Sequence, residues 1–238
     1  MPLRFLILLL IFSLGAVGGI WAQAFLLPSL AANPVSQNWQ FIKDWNARTQ
    51  VIAPVQQVTI QENKGIERTI QKVQDTVVPV QSGGQRTGSG LVFTSDGLIL
   101  TLSTLVPQGF KITVYQNGEA LPATILKRDV LNNLALLKIE KTGLQTTGFV
   151  GNGGVSLGER VVLLSKALGK EGVETTVNQG IVKNIEDNTF ATSMLETVAV
   201  SGALLFTLEE RVAGLAFVDS RGTVHAISSF VLRTFLGL

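Results

Sequence analysis

The chain has 238 residues, 46% of them apolar and 15% charged, with a net charge of +2, one histidine and no cysteine. That length holds one good-sized domain plus a tail, and the scattered lysines and arginines leave no basic footprint, which excludes nucleic acid as an expected partner. Without cysteine there is no disulfide framework, thiol nucleophile or thiolate metal site, and one histidine with no carboxylate cluster gives no reason to expect a metal or other cofactor.

Phe5 to Leu27 carries no charge, and only Ser13 and Gln23 interrupt its apolar character. An α-helix needs ~20 such residues to cross a bilayer. Arg4 and the amino terminus precede the run, which predicts a cytoplasmic N-terminus and export of the rest of the chain. Residues 1–33 are therefore expected to form a signal anchor, with a transmembrane helix over 5–27 that makes the protein single-pass in the cell membrane with its domain on the extracytoplasmic side. Ala22-Gln-Ala24 also has the small-residue pattern that signal peptidases cut, so a cleaved signal is the alternative. Residues 34–58 read as a stalk. Within it, Trp39, Phe41, Ile42 and Trp45 suit a short amphipathic helix at the membrane surface, or one that packs on the domain or on a neighbouring subunit.

Ile66, Ile70 and Val73 recur at helical spacing within Glu62 to Gln74. Thr76 to Val80 is a β-like run, and Gly83-Gly84 marks a turn. Short strands are then predicted over Leu91–Phe93, Leu98–Leu102, Lys111–Tyr115, Ala123–Leu126 and Leu134–Ile139. Ser95-Asp96-Gly97 turns between the first two, and Asn117-Gly118 is a strong hairpin signal. A second set covers Arg160–Ser165, Glu174–Lys183, Phe190–Thr192, Ala203–Thr207, Val212–Phe217 and Val224–Ile227. Ser228–Leu238 closes in a helix-like pattern. About a dozen short strands imply an all-β sandwich or barrel, and pattern alone does not choose between them.

Six motifs in order choose the barrel. Gly88-Ser-Gly90 followed by Asp96-Gly-Leu-Ile-Leu-Thr101, Asn133-Leu-Ala-Leu-Leu-Lys-Ile139, Val155-Ser-Leu-Gly-Glu-Arg-Val-Val162, Thr176-Val-Asn-Gln-Gly-Ile-Val182, Ala199-Val-Ser-Gly-Ala-Leu-Leu205 and Ala226-Ile-Ser-Ser229 resemble the HtrA/Deg-type, trypsin-like serine proteases from about Thr59 to Leu238. The resemblance implies an all-β fold of two six-stranded antiparallel barrels with the site in the cleft between them, here over residues 59–238 and without the C-terminal PDZ domain that family members often carry.

The same alignment exposes substitutions at the site. The family histidine falls on Thr104, the family aspartate on Asn133 and the nucleophile on Ser201. The glycine whose N–H would share the oxyanion hole with that of Ser201 falls on Ala199. A serine hydroxyl needs a base to take its proton, and the base needs a third group to orient it. A hydroxyl at 104 accepts no proton near neutrality, and an amide at 133 stabilises no imidazolium. The only histidine, His225, lies in a late strand where a structural role is expected. Lys111, Lys127 and Lys166 have no spacing that links them to Ser201 as a Ser–Lys dyad. The resemblance thus implies a catalytically degenerate pseudoprotease that binds a protein or peptide or regulates a partner. The alternatives are an endopeptidase using Ser201 with an unconventional base, and an inactive subunit of a mixed HtrA-type oligomer.

Overall fold

A computed structural model of the protein describes residues 3–26, 62–151 and 153–238. The expected stalk and its aromatic cluster at 39–45 lie outside the described residues. The chain divides into two compact units, 1–60 and 61–238.

In the first unit, helix α1 spans Leu3–Trp21 and a π-helical turn follows over Ala22–Leu26. No helix among the described residues is long and apolar enough to cross a membrane. The expected transmembrane helix over 5–27 is therefore not found, and single-pass anchoring in the cell membrane is unsupported. The α-helix proper is 19 residues, carries Arg4 as its second residue and gives way to the wider π-turn at Ala22, so its charge-free length falls short of the ~20 residues a span needs.

The second unit opens with helix α2, Glu62–Val73, and a 3₁₀ turn, Gln74–Thr76. Twelve strands follow. β1 (Val77–Ser82), β2 (Arg86–Val92), β3 (Leu98–Leu102), β4 (Ile112–Gln116), β5 (Glu119–Asp129) and β6 (Leu134–Ile139) close into one barrel. β7 (Arg160–Leu168), β8 (Val173–Ile185), β9 (Thr189–Leu195), β10 (Leu204–Thr207), β11 (Val212–Val218) and β12 (Thr223–Ser228) close into a second with the corresponding strand order. All paired strands within the barrels are antiparallel. Helix α3, Ser229–Leu236, ends the chain. The expected double barrel is thus observed.

Apolar burial follows the alternation of side chains on each strand. One cluster, including Val80, Ile99, Val114 and Leu137, fills the first barrel. Another, including Leu163, Phe190, Leu205 and Ala226, fills the second. A third joins Leu91, Leu100 and Leu134 of the first barrel to Leu164, Phe206 and Leu215 of the second, and Leu232 and Phe235 of α3 close it. The seam between the barrels is thus itself a hydrophobic core, and it fixes how the two loop sets meet.

Two strands run longer than their composition suggests. β2 begins at Arg86, although Arg-Thr-Gly-Ser-Gly is poor strand sequence. Its glycines serve close approach. A Cβ on Gly88 would lie 2.5 Å from the Ser201 carbonyl oxygen, and one on Gly90 would lie 2.7 Å from Ile99 Cγ2. β5 runs to Asp129 through a register shift between Ile125 and Lys127, a bulge that bends the strand without ending it.

Polar groups stitch the seam. The buried Ser89 hydroxyl of β2 accepts the Lys166 N–H of β7 at 2.9 Å and donates to the Lys166 carbonyl at 3.0 Å. The Ser165 hydroxyl lies 3.0 Å from it. The Ser89 carbonyl takes the Thr101 hydroxyl at 2.7 Å, and the Leu168 N–H donates to Thr87 Oγ1 at 2.7 Å. Ser89→Ala removes the centre of this array and leaves buried polar partners unmatched. It is expected to cost about 1–3 kcal/mol, read as a lowered denaturation midpoint of the full chain in urea with unchanged slope.

Candidate functional site

Ser201 stands at the end of a 3₁₀ turn, Val198–Val200, just before β10. In that turn the Val200 N–H bonds the Thr197 carbonyl at 3.2 Å, and the Ser201 N–H bonds the Val198 carbonyl at 3.0 Å. The Ser201 carbonyl takes the Ser89 N–H at 3.3 Å. Gly202 follows at φ +81°, and a Cβ there would lie 2.4 Å from the Ser89 carbonyl oxygen, so only glycine fits. Ala199 is exposed in the middle of the turn, while Leu204, the first residue of β10, is fully buried.

An oxyanion hole needs N–H groups aimed at the point where negative charge develops. The Ser201 N–H instead points back into its own turn, where the Val198 carbonyl satisfies it. Among the described residues no group hydrogen-bonds the Ser201 hydroxyl.

Thr104 and Asn133 meet directly. Asn133 closes the turn between β5 and β6 at φ +54°, a left-handed conformation that asparagine tolerates better than most residues. Its Oδ1 accepts the Ser103 hydroxyl and the Thr104 N–H, each at 3.0 Å. Its carbonyl accepts the Ser103 N–H at 3.0 Å. Arg86 donates to the Thr104 carbonyl at 3.1 Å, and Arg128 donates to the Ser103 carbonyl at 3.0 Å. The Thr104 side chain is exposed. Leu105, the next residue, carries the packing to the serine loop: its Cδ1 lies 2.8 Å from where a Gly202 Cβ would be. Thr104, Asn133 and Ser201 thus lie in three neighbouring loops, with Ala199 on the outer side of the serine loop.

None of the candidate bases is joined to this group by a hydrogen bond. His225 Nε2 lies 3.3 Å from Asp219 Oδ2, and its ring stacks on Phe217 at 5.5 Å. The Lys127 ammonium donates to the Phe235 carbonyl at 2.5 Å and sits 4.5 Å above that ring. The Lys166 ammonium donates to the Gln74 carbonyl at 2.6 Å. Lys111 is exposed. No cluster of histidine and carboxylate groups among the described residues could hold a metal ion. Behind Asn133 a cavity of about 270 Å³ opens, lined by Leu131, Asn132, Asn133, Asn188, Phe217 and Ile227. Leu131 is 98% exposed at its rim.

Sequence reasoning missed the grip of Arg86 and Arg128 on the loop and the turn that occupies the Ser201 N–H. No local pattern signals them, because the arginines act on residues 18 and 25 positions away and the turn is a matter of backbone direction.

The chain matches the family described as trypsin-like peptidase domain over residues 88–215. It is 28% identical over 158 residues to a probable periplasmic serine endoprotease, DegP-like, of Ectopseudomonas mendocina (strain ymp), an alignment that covers 63% of this chain and 33% of that protein. It is 31% identical over 148 residues to the serine endoprotease DegS of Haemophilus influenzae, covering 60% of this chain and 41% of that one. It therefore spans less than half the length of these curated relatives. Among solved structures, a serine endoprotease from Yersinia pestis superposes with a TM-score of 0.65 at 23% identity, over 72% of this chain and 65% of that chain. The Rv3671c protease in its inactive form superposes with a TM-score of 0.61 at 19% identity, over 71% and 91%. At these identities the superpositions speak for the fold alone.

Asn133 plays two parts that substitution separates. Asn133→Gly keeps the left-handed backbone and loses the side-chain bonds, so the Thr104 amide should exchange its hydrogen faster by NMR. Asn133→Ala also forces a Cβ into the left-handed region and should be less stable than the glycine variant by about 1 kcal/mol, seen as a lower thermal midpoint.

The Asp219 carboxylate accepts the Thr223 N–H at 2.9 Å and the Arg221 N–H at 2.8 Å. The Thr223 bond foremost, with those of Arg221 and His225, holds its pKa down at about 2. An unfolded aspartate titrates near ~3.9. The stabilisation is therefore complete above that value and lost as the pH falls through about 2. Asp219→Asn should lower the urea midpoint at neutral pH, and the difference from the parent should shrink as the pH is taken down through this window.

Proposed function

Because the chain belongs to the trypsin-like peptidase family, in its HtrA/Deg type, we propose that it is an exported pseudoprotease that keeps the double barrel as a scaffold for binding a protein or peptide. The observation that carries this reading is the Asn133 amide bonded to the backbone of Thr104. Where the family sets a carboxylate against an imidazole, this chain sets a neutral amide against a backbone N–H. Neither Asn133 nor Thr104 can take the Ser201 proton. Loss of the histidine alone from a measured triad costs about 10⁶-fold in turnover. The bonding of the Ser201 N–H within its own turn adds to the case, because removing a single oxyanion donor costs about 10²–10³-fold.

What remains favours binding. The seam core that shapes the cleft is intact, and the cavity behind Asn133 presents uncharged amides and apolar side chains. Such a mixture suits the backbone and apolar side chains of a polypeptide. Export is supported by the relatives named as periplasmic and by the apolar, charge-free helical run after Arg4.

A serine-reactive fluorophosphonate tests the reading. The folded protein is expected to remain unlabelled, both as it stands and with Thr104→His and Asn133→Asp together, because the 198–201 turn still occupies the Ser201 N–H. Labelling of the unmodified protein that disappears in Ser201→Ala would mean that the serine is activated and that an unrecognised base serves it.

A further inference from the structure

The lysine that fails as a partner for Ser201 occupies a site of its own. Lys166 comes directly after the fully buried run Val161–Leu164 and the buried Ser165 on β7. Its side chain leaves the core at a cavity of about 220 Å³, where the start of β1, the β4–β5 turn and the β7–β8 hairpin come together. Asp75, Tyr115, Gln116, Asn117 and Thr175 line this cavity with Lys166. The ammonium reaches the Gln74 carbonyl at 2.6 Å with one of its three donors. The cavity is therefore walled by amide and hydroxyl groups together with the apolar Val77, Pro79 and Val173, and it holds one amine and one carboxylate.

We propose that Lys166 is an acylation site, whose amine takes the acyl group of a small activated carboxylate, an acyl phosphate or a thioester, admitted to this cavity. The free-base Nζ adds to the acyl carbonyl carbon. A C–N bond forms, the C–O or C–S bond to the leaving group breaks, and phosphate or thiolate departs with the electron pair. The surplus proton on nitrogen passes to the Asp75 carboxylate and on to water. The amide product keeps one N–H for the Gln74 carbonyl and loses the charge that faced Asp75.

Three features set this amine apart. It is half-buried, whereas Lys64, Lys72 and Lys111 are exposed. It lines a cavity and has donors to spare, whereas the Lys127 amine is held between the Phe235 carbonyl and ring. Burial lowers its pKa from the ordinary lysine value, and the Asp75 charge only partly opposes that, so more of it is unprotonated at neutral pH than of a solvated lysine. The other titratable group facing it is the Tyr115 phenol, which donates to Gln81 at 3.0 Å; Val173 and Thr175 of β8 bring no charge.

The full chain is incubated with acetyl phosphate, and acetylation of each lysine is followed over time by peptide mass spectrometry. Lys166 is expected to react several-fold faster than Lys64 and Lys111 at neutral pH. Its lead should narrow at alkaline pH, where every amine is free, and vanish in concentrated urea, where the cavity is gone. A Lys166 rate equal to or below those of the exposed lysines overturns the proposal. So does a lead that survives in urea, which would trace it to local sequence and not to the cavity.

Discussion

The Ser89 hydroxyl is the point on which the relation of the two barrels turns. It lies in a fully buried position on β2 and binds both the N–H and the carbonyl of Lys166 on β7. Apolar burial across the seam brings the barrels together, yet it is non-directional and tolerates sliding. A buried hydroxyl with two backbone partners does not, since a shifted register would leave each of them unpaired in a dry interior. Gly88 and Gly90 belong to the same arrangement, because their missing side chains let the Ser201 carbonyl and Ile99 approach β2. The Ser89 N–H then holds the Ser201 carbonyl itself. The position of the serine loop is thus a consequence of the seam.

That independence lets residues at the site change while its shape is kept. Asn133 does for the backbone at 103–104 what an acceptor oxygen must do, and an amide oxygen serves as well as a carboxylate. A carboxylate would be needed only to stabilise a neighbouring positive charge, and none forms beside a threonine. The left-handed backbone at Asn133 favours asparagine further. Arg86 and Arg128 hold the same loop through its carbonyls, so three side chains fix this segment. A loop held by this many bonds is a rigid surface feature.

The serine turn makes the complementary point. Its two 3₁₀ bonds satisfy the Val200 N–H and the Ser201 N–H, the second of which an oxyanion hole would need free. Val198 and Ala199 stand exposed at its crest while Val200 is buried beneath, so the turn is anchored by one apolar side chain and its own hydrogen bonds. The same division of labour recurs at Lys166, where a strand that is apolar along its core run emerges into a cavity of mixed polar and apolar lining.

By itself the sequence determined the fold class, most of the strand positions and the residues standing at 104, 133, 199 and 201. Alternation, turn residues and motif order are local properties that survive without coordinates. It also showed that the chain's single histidine stands at position 225 and that position 104 holds a threonine. It overreached at the N-terminus, where apolar length says nothing of where the regular helix ends. Tertiary structure alone decided that β2 starts in a glycine-rich stretch, that Asn133 holds residues 103 and 104, that Ser201 spends its N–H on Val198, and that Lys166 borders a cavity. Each of these depends on groups far apart in the chain or on backbone direction at one residue, and neither leaves a periodic trace in the order of amino acids.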